Sequence, residues 1–418
     1  MNAKLKVGVF GIKRGASFAA QFEKNSHTQL TAICDYDDLA VRTFLKGRTD
    51  INVYRDFDLF LNSGVDIVVL CNYATEHVSF GIKALRAGKH VLSEVFACKT
   101  LAEGVALCRA VEQSGKTYMF GENYCYFKYV QEMTRLYQKG MLGEYLYGEC
   151  EYVHDCRMIQ HSITSGPDHW RNWIPPMYYC THSLGPIITI TKTRPDKVSG
   201  FVVPNTLSRQ VERRGDDWGI LVCTMDNNAV TRVLTWSTGP HDSIWYRVHG
   251  TKGAMENNRW RDTDKLNLYI EKWPKPGSYE KTYEPEFHKY ARQAKKTGHG
   301  GGDFFIVWDF VDAIIKGKNP PIDVYMAMDM TLPGLLGYRS ACQGNAPLEV
   351  PDFRSESVRK KYEKDHWSPD PKDKGLGRQP APSVLGRIKI PAVVHQQMAR
   401  KRRQLELEME KKVRKYRR

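Results

Sequence analysis

The stretch 6–18, KVGVFGIKRGASF, runs a short apolar segment (Val7–Phe10) straight into Gly11 and then into an amphipathic pattern. A buried strand that turns through glycine into a helix is the opening unit of a doubly wound α/β sheet. The register Gly11-Ile12-Lys13-Arg14-Gly15-Ala16 fits the dinucleotide fingerprint G-x-G-x-x-G/A, with Lys13 in place of the second glycine. That glycine lets the backbone approach a pyrophosphate, and the helix N-terminus offers amide donors and the positive end of its dipole. With Lys13 there, the diphosphate is expected slightly farther out, facing the Lys13 and Arg14 side chains. The alternative is a Rossmann shell that has lost its nucleotide. The next strand, TAICDYDD, ends on Asp35, twenty-four residues beyond Gly11, close to the spacing of about twenty for the ribose-binding acid. An acid at that point favours the free 2′-hydroxyl of NAD over the phosphate of NADP.

Apolar runs alternate with amphipathic ones through the first 120 residues. Strands are expected at 6–10, 30–34, 67–71, 90–93 and 117–121, and helices near 16–24, 38–47, 56–63, 76–87 and 100–114. The ligand crevice of such a sheet lies at the carboxyl ends of its strands, where the strand order reverses. From Leu142 the pattern changes: YLYGECEYVH, KVSGFVVP, WGILVCTM, AVTRVLTWS, SIWYRVHG and LNLYIEKW are rich in Val, Tyr, Trp and Thr and are joined mostly by polar turns. They read as a large open antiparallel sheet. Two helical patterns follow, and from Pro351 to Pro391 the chain is rich in Pro, Lys and Asp without a period, an extended arm. The expected division is a Rossmann dinucleotide-binding domain over 1–124, an α+β substrate and oligomerisation domain over 125–350, and an arm with a basic helix over 351–418.

The formal net charge of +15 is concentrated at the end, where 400–418 hold ten Lys or Arg against three Glu. Met398, Leu405, Met409 and Val413 recur there at helical spacing, which points to an amphipathic helix used in packing or subunit contact rather than to nucleic acid. Ten scattered cysteines without a C-x-x-C pair suit reduced thiols and argue against a metal site. No apolar run is long enough to span a bilayer and no export signal opens the chain, so a soluble cytoplasmic protein is expected.

The segment 66–94, DIVVLCNYATEHVSFGIKALRAGKHVLSE, resembles the third and fourth strands of the Gfo/Idh/MocA oxidoreductases, in which the matching loop and AGKHV run flank the nicotinamide. Members of that superfamily usually continue E-K-P, with a lysine that helps handle the proton of the substrate hydroxyl; here the residues are Glu94-Val95-Phe96. The departure is similar to the E-V-P of the NAD-dependent glycosidases of glycoside hydrolase family 109. GENYCY (121–126), YVHDCR (152–157), the Trp170-Arg171 pair, YYCTHSLGP (178–186) and GHGGGDFF (298–305) followed by PPIDVY resemble successive motifs of the same branch. The likeness spans residues 6 to about 353. Tyr124, Cys180, Ser183 and Phe96 depart from the branch pattern, so the sugar is left open.

The resemblance implies a cycle in which NAD withdraws hydride from a sugar C3, a base removes the acidified C2 proton, the aglycone is eliminated, water adds, and hydride returns. Tyr179 and His182, three apart at a helix start, share a face and are the expected catalytic pair with Glu94. A free tyrosine titrates near about 10, so Tyr179 as a base needs a cationic or hydrogen-bonding neighbour, for which His182 is the nearest candidate. Cofactor contacts are expected from Gly11, Ile12, Lys13, Arg14, Gly15, Asp35, Asn72, His77, Glu94, Asn123, Trp170, Arg171 and Tyr179. His154, Asp155 and His299 are the candidate substrate contacts, with Asp303 capping the helix that follows His299. Two other functions compete with the glycosidase: an NAD-dependent sugar 3-dehydrogenase that releases NADH, and a non-catalytic sugar or nucleotide sensor. A homo-oligomer formed through the antiparallel sheet is expected in each case.

Overall fold

The computed structural model describes residues 3–373 and 379–417. Its first sheet holds six parallel strands, β1 (Leu5–Phe10), β2 (Thr28–Cys34), β3 (Asn52–Tyr54), β4 (Ile67–Leu70), β5 (His90–Ser93) and β6 (Tyr118–Phe120), in the order β3-β2-β1-β4-β5-β6. Every residue of β4 and the last four of β1 are buried, as expected of parallel strands covered by helices on both faces. The expectation of five strands omits β3, whose three largely exposed residues are too few to show a period. The chain builds outward from β1 to β3 and then returns to β4, so the order reverses between β1 and β4. Gly11 sits at that switch point with φ 87°, and a Cβ there would collide with the backbone of Cys71 and Asn72. Only glycine fits both the turn and the close approach.

The second sheet has nine strands: β7 (Tyr145–Val153), β8 (Pro195–Val203), β9 (Trp218–Met225), β10 (Val230–Trp236), β11 (Ser243–Gly250), β12 (Gly253–Asn257), β13 (Leu266–Glu271), β14 (Ser278–Tyr283) and β15 (Leu348–Glu349). Their order is β14-β13-β12-β11-β7-β10-β9-β8-β15. Central β7 pairs antiparallel with β11 but parallel with β10, so the sheet is mostly rather than wholly antiparallel. The six β-rich segments named above are all strands; β12, β14 and β15 are additional, and β14 (SYEKTY) is charged and largely exposed. Helices Thr181–Thr191 and Val324–Cys342 pack on one face of the sheet. The other face leaves Phe201, Val222 and Val230 exposed.

The arm is pinned to both halves of the molecule by Arg339–Asp365 (2.6 Å), Lys99–Asp370 (3.0 Å) and Ser383 donating to Asp216 (2.5 Å). It also contains a helix, Glu356–Tyr362, that its composition does not signal. The terminal helix Ala392–Arg414 turns Met398, Leu405, Met409 and Val413 inward and packs on helix Asp38–Leu45 and on the short helix Gln160–Ile163. His395 and Arg402 on the same helix each hold the buried carboxylate of Glu212 at 2.7 Å. Among the described residues no helix is long and apolar enough to cross a membrane.

Helix Val324–Cys342 lies so close to β8 that a methyl group on Gly200 would run into the Gly337 carbonyl. Gly200→Ala is therefore expected to destabilise the protein by about 1–3 kcal/mol, the usual cost of overpacking a close contact. A urea midpoint equal to that of the wild type would contradict this packing.

Candidate active site

The nucleotide crevice is built from strand ends. Gly11 donates its N–H to the Cys34 carbonyl, and Cys71 donates to the Phe10 carbonyl, which aligns the tips of β2, β1 and β4. Asp35, one residue past β2, accepts from the Ile12 N–H at 2.6 Å and from the Asp37 N–H at 2.8 Å. Burial raises its pKa against the lowering effect of those two donors. The first helix, Ile12–Lys24, begins at Gly11, so the amides of its first turn have no acceptor within the helix. Two buried amide oxygens, Asn72 Oδ1 beyond β4 and Asn123 Oδ1 beyond β6, have no hydrogen-bond partner among the described residues, nor has His77 Nε2. An αL glycine at the switch point, an acid beyond β2, free helix-terminal amides and orphaned acceptors along the strand ends fit a dinucleotide.

The cations of the turn have partners within the chain. Lys13 donates to the Ser162 carbonyl at 2.7 Å, and the Arg14 guanidinium pairs with Glu94 at 2.5 Å and Asp303 at 3.0 Å. Burial alone would lower the Arg14 pKa, but Glu94 and Asp303 outweigh it and hold the guanidinium charged. Asp303 is fully buried inside the first turn of helix Gly302–Lys316, not at its cap, which is Gly301. It also accepts from His299 at 3.1 Å, and its carboxyl stays well below the usual range because His299 and Arg14 overcome burial. His299 thus reaches the crevice only through Asp303 and Arg14.

Tyr179 ends the turn Pro176–Tyr179, and His182 lies in the first turn of helix Thr181–Thr191. Their rings are 5.7 Å apart, centroid to centroid. Arg171, not His182, is the cation at the tyrosine: it donates to the Tyr179 hydroxyl and lies 4.3 Å over the Trp170 ring. Tyr179 stacks between Trp170 and Tyr152, at 6.2 and 6.3 Å. Burial pushes its pKa up and Arg171 pulls it down, with a net rise. His182 Nδ1 is 2.7 Å from Glu122 Oε1, whose side chain is fully buried. The His182 ring also packs on Tyr124 and Tyr152, and the Tyr152 hydroxyl is 3.0 Å from His154 Nδ1.

Tyr179, His182, His154, Trp170 and Arg171 therefore converge, and Asp155 does not join them. Its carboxylate is held by Arg157 at 2.9 Å, and burial, which would raise its pKa, is outweighed by that partner. Glu122 and Tyr152 join the cluster although neither is among the candidates read from the sequence. A charged residue two positions past the buried strand β6 is the available signal for Glu122. Tyr152 follows the inward and outward alternation of β7 and carries no separate signal.

Residues 5–122 match the family model of an oxidoreductase family with an NAD-binding Rossmann fold, and residues 208–360 match that of the C-terminal domain of glycosyl hydrolase 109. The chain resembles the glycosyl hydrolase 109 branch of the Gfo/Idh/MocA proteins in both of these segments. Among its glycosyl hydrolase 109 relatives, a family 109 protein of Solibacter usitatus (strain Ellin6076) is 28% identical over 399 residues, covering 84% of this chain and 89% of its own. An alpha-N-acetylgalactosaminidase of Tannerella forsythia is 26% identical, with 78% and 81% covered. The fold is shared with an oxidoreductase domain protein from Kribbella flavida (TM-score 0.71, 22% identity, 84% of this chain and 100% of that one). It is shared also with levoglucosan dehydrogenase in complex with NADH and L-sorbose (TM-score 0.72, 19% identity, 84% and 100%). NAD is the cofactor of this Rossmann domain.

The segment carrying Trp170 and Arg171 starts at His169, whose Nδ1 accepts from the Arg171 N–H at 3.2 Å. Burial first, then Arg171, Lys13, Arg402 and Lys372, lower the His169 pKa to about 3. An unfolded histidine titrates near about 6.5, so below that pH the unfolded chain takes up a proton that the fold refuses. Stability from this group is complete above pH 6.5 and falls as pH drops towards 3, by roughly 2 kcal/mol at pH 5. In urea unfolding at about pH 7.5 and pH 5, wild type is expected to lose more stability than His169→Asn. Equal losses would contradict the assignment.

Proposed function

We propose that the chain is an NAD-dependent glycosidase that keeps its cofactor through each turnover. The observation that carries this reading is a half-buried tyrosine, Tyr179, bonded by Arg171 and beside a Glu122-oriented histidine, with Val95 where a dehydrogenase of this superfamily has its lysine. The chemistry that bound NAD supplies is reversible withdrawal of hydride from the sugar C3, which acidifies the C2–H. Asp35 would hold the adenosine ribose, the Lys13 and Arg14 amides of the first turn would meet the diphosphate, and Asn72, His77, Glu94 and Asn123 would lie at the nicotinamide end.

Tyr179 is the base at C2. Burial places its phenol high, and the Arg171 guanidinium that donates to the hydroxyl offsets part of that rise and would stabilise the phenolate that accepts the C2 proton. His182, with Nδ1 bonded to Glu122, has Nε2 as the atom that protonates the leaving oxygen or receives the proton of the incoming water. His154, tied to Tyr152, lies where a sugar hydroxyl meets the same cluster. Trp170 and Tyr152 flank Tyr179 and keep bulk water from it.

The relatives named alpha-N-acetylgalactosaminidase, from Tannerella forsythia and Shewanella oneidensis, make hexosaminides one substrate class to try. All ten cysteines are free and nine are buried, which supports a reducing, cytoplasmic setting. The apolar outer face of β8, β9 and β10, with Phe201, Val222 and Val230 exposed, supports self-association through the large sheet.

Nucleotide released from the purified protein should be NAD, and nitrophenyl glycosides should be cleaved without added NAD and without net NADH. Tyr179→Phe is expected to lose more than about 100-fold in turnover while still carrying NAD. Near wild-type turnover in that variant would remove Tyr179 as the base. NADH accumulating in step with sugar consumed would make the protein a sugar dehydrogenase.

A further inference from the structure

One charged group beside this cluster has no role in the steps above. Arg213 is 3% exposed, and its Nε and Nη2 have no hydrogen-bond partner among the described residues. Asp217, an acid within its electrostatic reach, is spent elsewhere: its carboxylate accepts from the backbone N–H groups of Thr206 at 2.9 Å, Leu207 at 2.8 Å and Ser208 at 2.7 Å. The backbone that carries Arg213 is fixed. Its N–H donates to the Ser208 carbonyl at 3.0 Å, its carbonyl accepts from Asn205 Nδ2 at 3.1 Å, and the preceding Glu212 is clamped by the terminal helix. The side chain therefore cannot leave the interior by a small loop movement.

Arg214, next in the chain, donates its N–H to the Asn172 carbonyl, which lays the backbone of Arg213 against the turn Trp170–Asn172 that carries Arg171, and Tyr179 and Arg171 are among the groups that feel the charge of Arg213. Arg171 likewise has no carboxylate partner among the described residues; its guanidinium serves the Tyr179 hydroxyl and the Trp170 ring. Two guanidinium groups near one half-buried tyrosine, neither neutralised by an acid among the described residues, carry a desolvation cost that an anion at that spot relieves. The planar fork of arginine matches the paired oxygens of a carboxylate, sulfate or phosphate. The contact of the Arg213 loop with the turn Trp170–Asn172 places it at the Trp170 and Tyr179 end of the cluster.

We propose that Arg213, with Arg171, forms an anion subsite beside Tyr179 and that the glycoside carries a carboxylate or sulfate ester near its reacting carbons. This rests on the reading of Tyr179 as the reacting base. A uronic acid or a sulfated sugar would place its charge against the two guanidinium groups and enter already oriented. An uncharged hexoside would leave Arg213 buried without a partner. The same chemistry makes the protein follow reactions that deliver acidic oligosaccharides and precede those that consume acidic monosaccharides.

The test uses the NAD-loaded full-length protein, Arg213→Met and Arg213→Lys. Thermal unfolding is measured with sodium glucuronate, sodium sulfate, and glucose in sodium chloride of the same ionic strength. Turnover is measured with nitrophenyl glucuronide and nitrophenyl glucoside. Glucuronate or sulfate should raise the wild-type Tm above the glucose control, and neither should do so in Arg213→Met. The ratio of kcat/KM for the acidic over the neutral glycoside should fall by at least about 100-fold in Arg213→Met, with a smaller fall in Arg213→Lys, which keeps the charge but loses the fork. Sulfate protection without glucuronate protection assigns the subsite to a sulfate ester, and the reverse assigns it to a carboxylate. Equal loss on both glycosides with no anion-dependent Tm shift would overturn the proposal and leave Arg213 acting on Tyr179 alone. Loss of bound NAD from Arg213→Met would also overturn it, by making the cofactor diphosphate the anion. Anion protection that disappears in Arg213→Met, in a protein that cleaves no glycoside, would keep the subsite and reject only the glycosidase reading.

Discussion

Arg14 is the point through which the two halves of the molecule meet. Its guanidinium lies between Glu94, at the end of β5, and Asp303, buried in the first turn of helix Gly302–Lys316, so one side chain ties the glycine turn, the tip of β5 and a helix that follows the large sheet. A buried pair of this kind need not add stability over an apolar contact, because desolvating three charges costs as much as their attraction returns. Its contribution is geometry. With Arg14 held from both sides, the Glu94 carboxylate has one place to be, and every group that meets the cofactor beyond it inherits that placement. The departure from the dinucleotide fingerprint is consistent with this arrangement. Lys13 reaches across to the Ser162 carbonyl and fastens the loop that leads to Trp170 and Arg171 over the turn.

A second buried carboxylate performs the matching task for the chemistry. Glu122 fixes His182 through Nδ1, beside the aromatic stack of Trp170, Tyr179 and Tyr152. The terminal helix contributes from outside. By holding Glu212 with His395 and Arg402 it steadies the turn that carries Arg213, and its inward apolar stripe covers the short helix next to Ser162. The basic tail is thereby a packing element of its own chain, and its charges form the outer surface of that helix.

Much of this was legible in the chain itself wherever a local pattern carried the signal. The alternation of buried strands and amphipathic helices, the glycine turn and Asp35 all depend on residues close in sequence, and the parallel sheet follows them. Strands β3, β12 and β14 escaped because they are short or charged and pair through backbone bonds that leave no side-chain period. The partners of the charged residues escaped for another reason. Lys13 to Ser162, Arg14 to Asp303 and Arg171 rather than His182 at Tyr179 are tertiary contacts, fixed by how loops cross and not by spacing. Asp303 illustrates the limit well: an acid after a glycine run reads as a helix cap, yet here Gly301 caps and the acid turns inward to an arginine 289 residues away. Arg213, one of two adjacent arginines in a loop, reads as surface charge until its burial is seen.

The central claim is that the glycosidic bond is broken by elimination after C2 deprotonation, and not by displacement at the anomeric carbon. The most direct measurement is the mass and proton spectrum of the sugar released from a cleaved glycoside in deuterium oxide. The account predicts deuterium bonded to C2 of the product, delivered by the base that removed the original proton. Cleavage that leaves C2 wholly protonated, with label only at exchangeable hydroxyls, would contradict it.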